Sequence, residues 1–505
     1  MKRSIKSFIG AVALALFLAP ASAFADSPYP GYIYNADQQT PASLNGYVYA
    51  DSFDGFGMPS GPLDSPEDLF IGDDDTLYIV DSGNARVIHM DRHQNVLFVI
   101  GDEEGSGQLN APKGVYVTKT GDIYVADTGN RRVAKFNAQG QFVQEFLKPD
   151  SPLLGDQFYF APSKLAVDKR GYLFVVSEGA SQGLLQISPE GRFAGFFGAN
   201  HVDWSFSRVI VKLIASKEQR QQMASEKPPE FSNVFEDAEG FYYTTTVGIH
   251  TNQVKRLSTV GVDILNGDGG GGSKEKNTYG DYQLPTYNYS PAFESFVDVT
   301  ASRDGLITAL DSVTGKAFQY NAIKNMLFIF GGIGEQDGLF KAPSSIAELS
   351  DGTIYIADKG RNRIDRFVTT PFGQLVHKAS ILHADGKYAE AQPIWREVQR
   401  MNANYLLAYG GIGQALLKSE DYAEAMSYFR LAKDKYGYSA ALAEYRKEYM
   451  RAHFGEIAGG LVGLLIVIRL GFYLYGRRKR KRMPKSNSGI AATGSVKDAK
   501  GGQQG

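Results

Sequence analysis

The stretch YVADTGNRRVAKF, residues 124–136, sets an aspartate, a glycine, an asparagine and two arginines between apolar strand-formers. Its surroundings decide whether it is a site or a structural signature. Six residues separate the turn residue Gly121 from Asp127. The same step joins Asp75 to Asp81, Gly171 to Ser177, Gly240 to Thr246, Gly305 to Asp311 and Gly352 to Asp358. Between the anchors lies an apolar run each time: TLYIV, DIYVA, YLFVV, FYYTT, LITAL and TIYIA. Nine residues before the turn stands Pro66, Pro112, Pro162 or Pro343, with Phe231 and Phe296 in the two weaker copies. Fixed offsets across six copies mark a repeat architecture.

Each unit continues into alternating segments such as RVAKF (132–136) and GQFVQEF (140–146), which predicts about four short antiparallel strands per unit. One such sheet cannot bury both of its faces. Radial stacking buries them and leaves only short edges. The expected fold class is therefore mainly β: a six-bladed β-propeller over 26–370, followed by a small α-helical domain and one transmembrane helix. Spacings of 46, 50, 69, 65 and 47 between the second anchors place insertions near 199–230 and 266–292. No outer strand follows RIDRF (363–367), whereas NGYVYADSF (45–53) reads as a strand without a blade. That strand is expected to complete the sixth blade.

The repeat resembles the NHL-repeat family of propellers over roughly residues 46–367. The matching residues are Asp81, Gly83, Asn84 and Arg86, then Asp127, Gly129, Asn130 and Arg132. The last copy, DKGRNR, keeps Asp358, Gly360 and Arg363 but has arginine at 361 and asparagine at 362, and units three to five lose most of the signature. Glycine and asparagine suit the positive φ of a tight turn. Aspartate can accept backbone N–H bonds there, and arginine can lie across it toward a neighbouring blade. The opening stretch is thus read as structural grammar, with a binding rim on one propeller face as the functional alternative.

The ends concern location. Lys2, Arg3 and Lys6, the apolar run Phe8–Pro20 and small residues at 21–25 read as a signal peptide over 1–25. Residues 457–476, IAGGLVGLLIVIRLGFYLYG, match a bilayer core in length. Arg469 within them is read as snorkelling or pairing with another membrane subunit. The cluster RRKRKRMPK follows, and the positive-inside rule puts the basic tail 477–505 in the cytoplasm and everything before the span outside. The tail itself is expected to be disordered.

Residues 372–454 change period. GKYAEAQPIWREV and EDYAEAMSYFRLA align at 34 residues, pairing Tyr388 with Tyr422, Ala391 with Ala425 and Trp395 with Phe429. This resembles tetratricopeptide repeats, which implies a groove for peptides or partner helices.

No cysteine is present, so no disulfide framework exists. The formal charge of −2 gives no support to a nucleic-acid partner. Candidate partner-contacting residues are Trp204, Phe206 and Arg208 in the first insertion, Tyr282 and Tyr287 in the second, and Tyr388, Trp395 and Tyr422 in the helical domain. No nucleophile elbow, phosphate loop or zincin motif appears. Seven histidines are scattered rather than convergent, and no cofactor is expected beyond the option of calcium held by propeller carboxylates and asparagines. The functional expectation is an extracytoplasmic scaffold or ligand-binding subunit of an envelope complex, anchored in the cell membrane and associated with a protein partner, a transporter or a carbohydrate-related small molecule. The alternative implied by the resemblance is a metal-dependent, gluconolactonase-type hydrolase.

Overall fold

A computed structural model describes residues 27–34, 39–155, 157–198, 228–249, 251–266, 277–281, 286–287, 290–291 and 294–481. The signal segment, the first insertion with Trp204, Phe206 and Arg208, the glycine run 269–272, Tyr282 and the tail beyond 481 lie outside the described residues.

Six sheets form a ring. Blade one comprises Pro66–Ile71, Leu77–Asp81, Arg86–Met90 and Val96–Ile100. Blade two comprises Gly114–Val117, Ile123–Asp127, Arg132–Phe136 and Phe142–Phe146. Blade three comprises Pro162–Val167, Leu173–Ser177, Leu184–Ile187 and Phe193–Phe197. Blade four has three strands among the described residues, Phe231–Glu236, Tyr242–Thr246 and Val254–Leu257; a single bridge, Leu257 to Asp263, stands at the outer position. Blade five comprises Phe296–Ala301, Ile307–Asp311, Lys316–Tyr320 and Met326–Gly331, and blade six Pro343–Glu348, Ile354–Asp358 and Arg363–Thr369. Each inner strand lies against the inner strands of both neighbouring blades. The second strand of every blade is buried at all five positions, because a neighbouring blade covers each of its faces. That explains the unbroken apolar runs between the sequence anchors.

Tyr47–Phe53 is the outer strand of blade six. It pairs antiparallel with Arg363–Thr369, from Tyr47 opposite Thr369 to Phe53 opposite Ile364. The start and the end of the propeller are thereby joined by hydrogen bonds in one sheet, and Arg366 adds an ion pair to Asp51. Tyr47 is fully buried, stacks on Phe330 at 4.7 Å and accepts a hydrogen bond from Gln319 Nε2 at 2.9 Å.

Six helices follow: α1 (Pro371–Ala384), α2 (Tyr388–Met401), α3 (Leu406–Lys418), α4 (Tyr422–Leu431), α5 (Lys435–Ala452) and α6 (Phe454–Lys481). Thr370 starts α1 by accepting from the Gly373 N–H, and Pro371 occupies the first turn, where it costs no hydrogen bond. Gly373 must be glycine, since a Cβ there would stand 2.4 Å from the Gly46 carbonyl oxygen. One apolar core runs from Tyr47, Phe328 and Phe330 through Phe372 and Val376 to Trp395, Tyr405 and Phe429. The helical region is therefore docked on blades five and six. Tyr405 secures it by donating to the Leu327 carbonyl at 3.1 Å.

Burial corrects one expectation. Trp395 is 3% exposed and packs in the helical core, so it is unavailable to a partner. The small-plus-aromatic pattern that singled it out is a packing rule: Gly411 on α3 lets the indole approach, and a Cβ at 411 would meet its ring nitrogen at 2.4 Å. Gly411→Ala is accordingly expected to cost about 1–3 kcal/mol through overpacking, read as a lowered denaturation midpoint of the detergent-solubilised chain. Tyr388 and Tyr422 remain half-buried. Tyr279, in the second insertion, is a core residue whose hydroxyl donates to Asn266 Oδ1 at 2.8 Å.

Helix α6 is, among the described residues, the one helix long and apolar enough to cross a membrane, over Phe454–Arg478, and none of it is buried against the rest of the chain.

Candidate functional site: the mouth cup and the axial ring

Asp81, Asp127, Asp311 and Asp358 end the second strand of their blades, where Ser177 and Thr246 stand in blades three and four; all six are buried. Each aspartate accepts from the chain entering its own blade. Asp81 takes the N–H of Asp64 at 2.7 Å, Asp127 that of Asn110 at 2.8 Å and Asp311 that of Ser295 at 2.6 Å. Asp358 takes the N–H groups of Lys341 and Ala342, both at 2.8 Å, and the Ser177 hydroxyl accepts from Ala161 at 3.0 Å.

Arginine completes the lock. Arg132 Nε contacts Asp127 at 2.7 Å, and its other nitrogens reach the carbonyls of Ser106 and Gln108 in the incoming linker at 2.9 and 2.7 Å. Arg86 repeats this with Asp81 at 2.7 Å and the Pro62 carbonyl at 3.0 Å. Asn84 and Asn130 donate to the same aspartates at 2.8 and 2.9 Å. In blade six the roles shift. Arg361 reaches the carbonyls of Gly334 and Gln336, whereas Arg363 turns to Asp337 and Asp365, each at 3.0 Å. Asn362 accepts from the Ser65 N–H at 2.9 Å and ties blade six to the entry of blade one. Most of these groups hold linkers, whereas Asp365 and the Nε and Nη2 of Arg363 are buried without a hydrogen-bond partner among the described residues.

A large concavity lies at the opposite ends of the same strands. A cup of about 920 Å³ is lined by the turns between first and second strands of all six blades, and by His377 and Ile381 of α1. Ten carboxylates and four cationic side chains line it. Most of the carboxylates are engaged: Asp73 with Arg303, Asp74 with Thr76, Asp75 with Ser350, Asp122 with Lys135, Asp168 with Arg170 and Asp237 with Arg256. Aromatic walls come from Phe70, Tyr78, Tyr116 and Phe235.

Below the cup the channel narrows to about 100 Å³. Its closure comes from one position, two residues after the proline or phenylalanine that precedes each turn: Asp68, Gly114, Lys164, Asn233, Asp298 and Ser345. At five of the six the inner strand slips register against its neighbour, which turns the side chain toward the axis. Gly114 is the exception, because a Cβ there would stand 2.4 Å from the Ser163 carbonyl. Lys164 pairs with Asp68, Asn233 donates to Asp298, and Ser345 bonds both aspartates. Backbone N–H groups of Val115 and Ile346 supply the rest, at 2.9 and 2.8 Å. Burial disfavours the Lys164 ammonium, but Asp68 and Asp298 outweigh it and hold its pKa above the ordinary lysine value. Burial raises Asp298 to about 6, against the pull of Lys164. The ring is thus a self-satisfied plug that staples the blades across the axis.

Two glutamates at matching ends of inner strands line both cup and channel. Glu236 accepts from the Tyr116 hydroxyl, and burial still raises its pKa. Glu348 is half-buried with Oε2 fully enclosed and without a hydrogen-bond partner; burial, then Asp304 and Asp351, push it up to about 8. His377 bonds Gln319 at 2.6 Å, and burial lowers it to about 4.

No sequence pattern marks this ring, since its six positions carry different residue types. His377, assigned by position to the helical region, reaches the cup. Among the described residues no group of three or more histidines, aspartates or glutamates is arranged to hold a metal ion.

Residues 109–136, which contain the opening stretch, match the family model described as NHL repeat. No curated protein matches the sequence. Among solved structures, a streptogramin B lyase is similar at 13% identity, covering 65% of this chain and 100% of that one with a TM-score of 0.39. Virginiamycin B lyase from Staphylococcus aureus is similar at 10% identity, covering 64% and 98% with a TM-score of 0.36. A putative gluconolactonase is similar at 10% identity, covering 67% and 98% with a TM-score of 0.38. Nothing about this chain's activity follows from likenesses this distant.

Proposed function

We propose that the chain is a membrane-anchored binding subunit without catalytic activity of its own. Helix α6 crosses the cell membrane, the basic residues from Arg477 onward lie in the cytoplasm, and the propeller with its helical bundle works outside. The bound partner is a protein of an envelope complex or a carbohydrate-related small molecule, and the cup receives it. A tetratricopeptide-like groove in the helical bundle is a secondary contact.

The observation that carries this reading is the cup. All six blades and α1 contribute to it, it is open, and its floor is closed by side chains that satisfy one another. On the signature face, by contrast, Asp81, Arg86, Asp127 and Arg132 are occupied with linkers.

The test is substitution on the two faces of the full chain purified from membranes. Thr120→Trp fills the cup and should release the co-purifying partner or ligand, while Glu104→Arg on the opposite face should leave it bound. Equal loss from both variants would contradict the assignment. The competing reading, a lactonase-like hydrolase with calcium or another divalent ion in the propeller, predicts one equivalent of metal and lactone turnover abolished by chelator in the same preparation.

A further inference from the structure

The last two turns of α5 leave the helical bundle before the chain reaches α6. From Tyr445 to Ala452 every residue is exposed, and Ala441 is the last one buried. This free segment is nevertheless apolar and aromatic on one side. Tyr445 stacks on Tyr449, and Tyr449 on His453 at 4.3 Å, while Met450 and Phe454 continue the surface. Tyr449 is 50% exposed, Met450 49% and Phe454 66%. None of them joins the helical core, and Tyr445 is 38% exposed. Arg446, Lys447, Glu448 and Arg451 are interleaved with the aromatic residues, and Lys447 pairs with Glu444 at 2.6 Å.

Tyrosine with lysine and arginine is the combination that suits the headgroup layer, where the ring sits among acyl ends and the polar tip or cation stays wet. Length agrees. Phe454–Arg478 holds 25 residues, about 37 Å at 1.5 Å per residue, longer than a hydrocarbon core of about 30 Å and shorter than the whole bilayer of about 40–45 Å. Phe454 therefore falls at headgroup depth. Tyr449, one and a half turns further out, reaches the same layer when α5 lies oblique to the membrane normal. A break for that exists at His453, which leaves helical geometry with ψ at 18° and separates α5 from α6.

We propose that residues 445–454 form a membrane-interface foot: Tyr445, Tyr449, Met450 and Phe454 seat in the outer headgroup layer of the bilayer that α6 crosses, and so fix the tilt of the helical bundle and of the propeller docked on it. The occupant of this surface is lipid, not a second protein. The inference rests on the reading of α6 as a span.

The chain lacks cysteine, so single cysteines introduced into the full-length protein carry a nitroxide label without background. Three variants reconstituted in phosphatidylcholine–phosphatidylglycerol vesicles decide the matter: Tyr449→Cys in the foot, Phe472→Cys in the span and Tyr436→Cys, 91% exposed at the far end of α5. Collisional relaxation by oxygen, relative to a water-soluble nickel complex, should be several-fold higher at 449 than at 436, and higher still at 472. A value at 449 equal to that at 436, with 472 deep, overturns the foot and leaves the span intact. Dipolar broadening between labels at 449 would assign the surface to a second copy and also overturns it. A water-like value at 472 overturns the span, and the foot with it.

Discussion

Asp127→Ala is expected to lower the stability of the chain by about 3–5 kcal/mol, the cost of stranding one member of a buried ion pair. The Asp127 side chain is fully buried and Arg132 nearly so. Removing the carboxylate leaves the guanidinium enclosed beside neutral carbonyls that cannot offset its charge, and it also frees the Asn110 N–H and the Asn130 amide. The linker from blade one into blade two would lose its tether at once. Glu145, which also meets Arg132 at 2.8 Å, is largely solvated and offers weak compensation. Chemical denaturation of the full chain in detergent, followed by circular dichroism, measures the effect. A loss below about 1 kcal/mol, the level of a solvent-exposed pair, would mean that the signature is not a structural lock.

The second large effect is on pH dependence. Glu348 has its pKa raised from 4.5 to about 8 in the folded chain. A raised acid binds its proton more tightly when folded. Its contribution to stability is therefore fully present below about pH 4.5 and is lost as the pH climbs to about 8. Glu348→Gln keeps the shape and removes the titration. Parent and variant should be similar near pH 4.5, and at pH 9 the variant should be the more stable by about 3–5 kcal/mol, since each tenfold change in proton affinity is worth about 1.36 kcal/mol. Glu294 and Asp365, each raised to about 7 chiefly by burial, act in the same direction. The difference between parent and variant cancels them. A difference that stays constant from pH 4.5 to 9 would show that Glu348 titrates as an ordinary surface carboxylate.

How much of this could be read from the chain depends on whether a feature repeats in residue type. The six second anchors do. A buried strand end that must accept a backbone N–H selects Asp, Ser or Thr, and an apolar run must precede it, so the ring of blades is legible from counting alone. The displaced arginine of blade six is visible as a spelling difference at 361–363, but the exchange of roles between Arg361 and Arg363 shows only in the folded blade. The axial ring repeats in position and not in type. Aspartate, glycine, lysine, asparagine, aspartate and serine satisfy one another across the axis, and no single copy reveals the set. The cup is hidden for a related reason: it is assembled from hairpin turns whose polar residues look like ordinary turn chemistry. His377 and Trp395 show the limit of reading along the chain. One lies far from the propeller in sequence and lines its mouth, and the other carries a partner-binding look that packing explains.

Function turns on which face of the propeller meets its partner, and photocrosslinking in intact cells tests that most directly. A photoreactive amino acid at Thr120, inside the cup, is predicted to give one specific crosslinked product, while the same group at Glu104, on the signature face, gives none. A product from Glu104 with none from Thr120 would contradict the assignment of the cup and return function to the face that the signature residues hold.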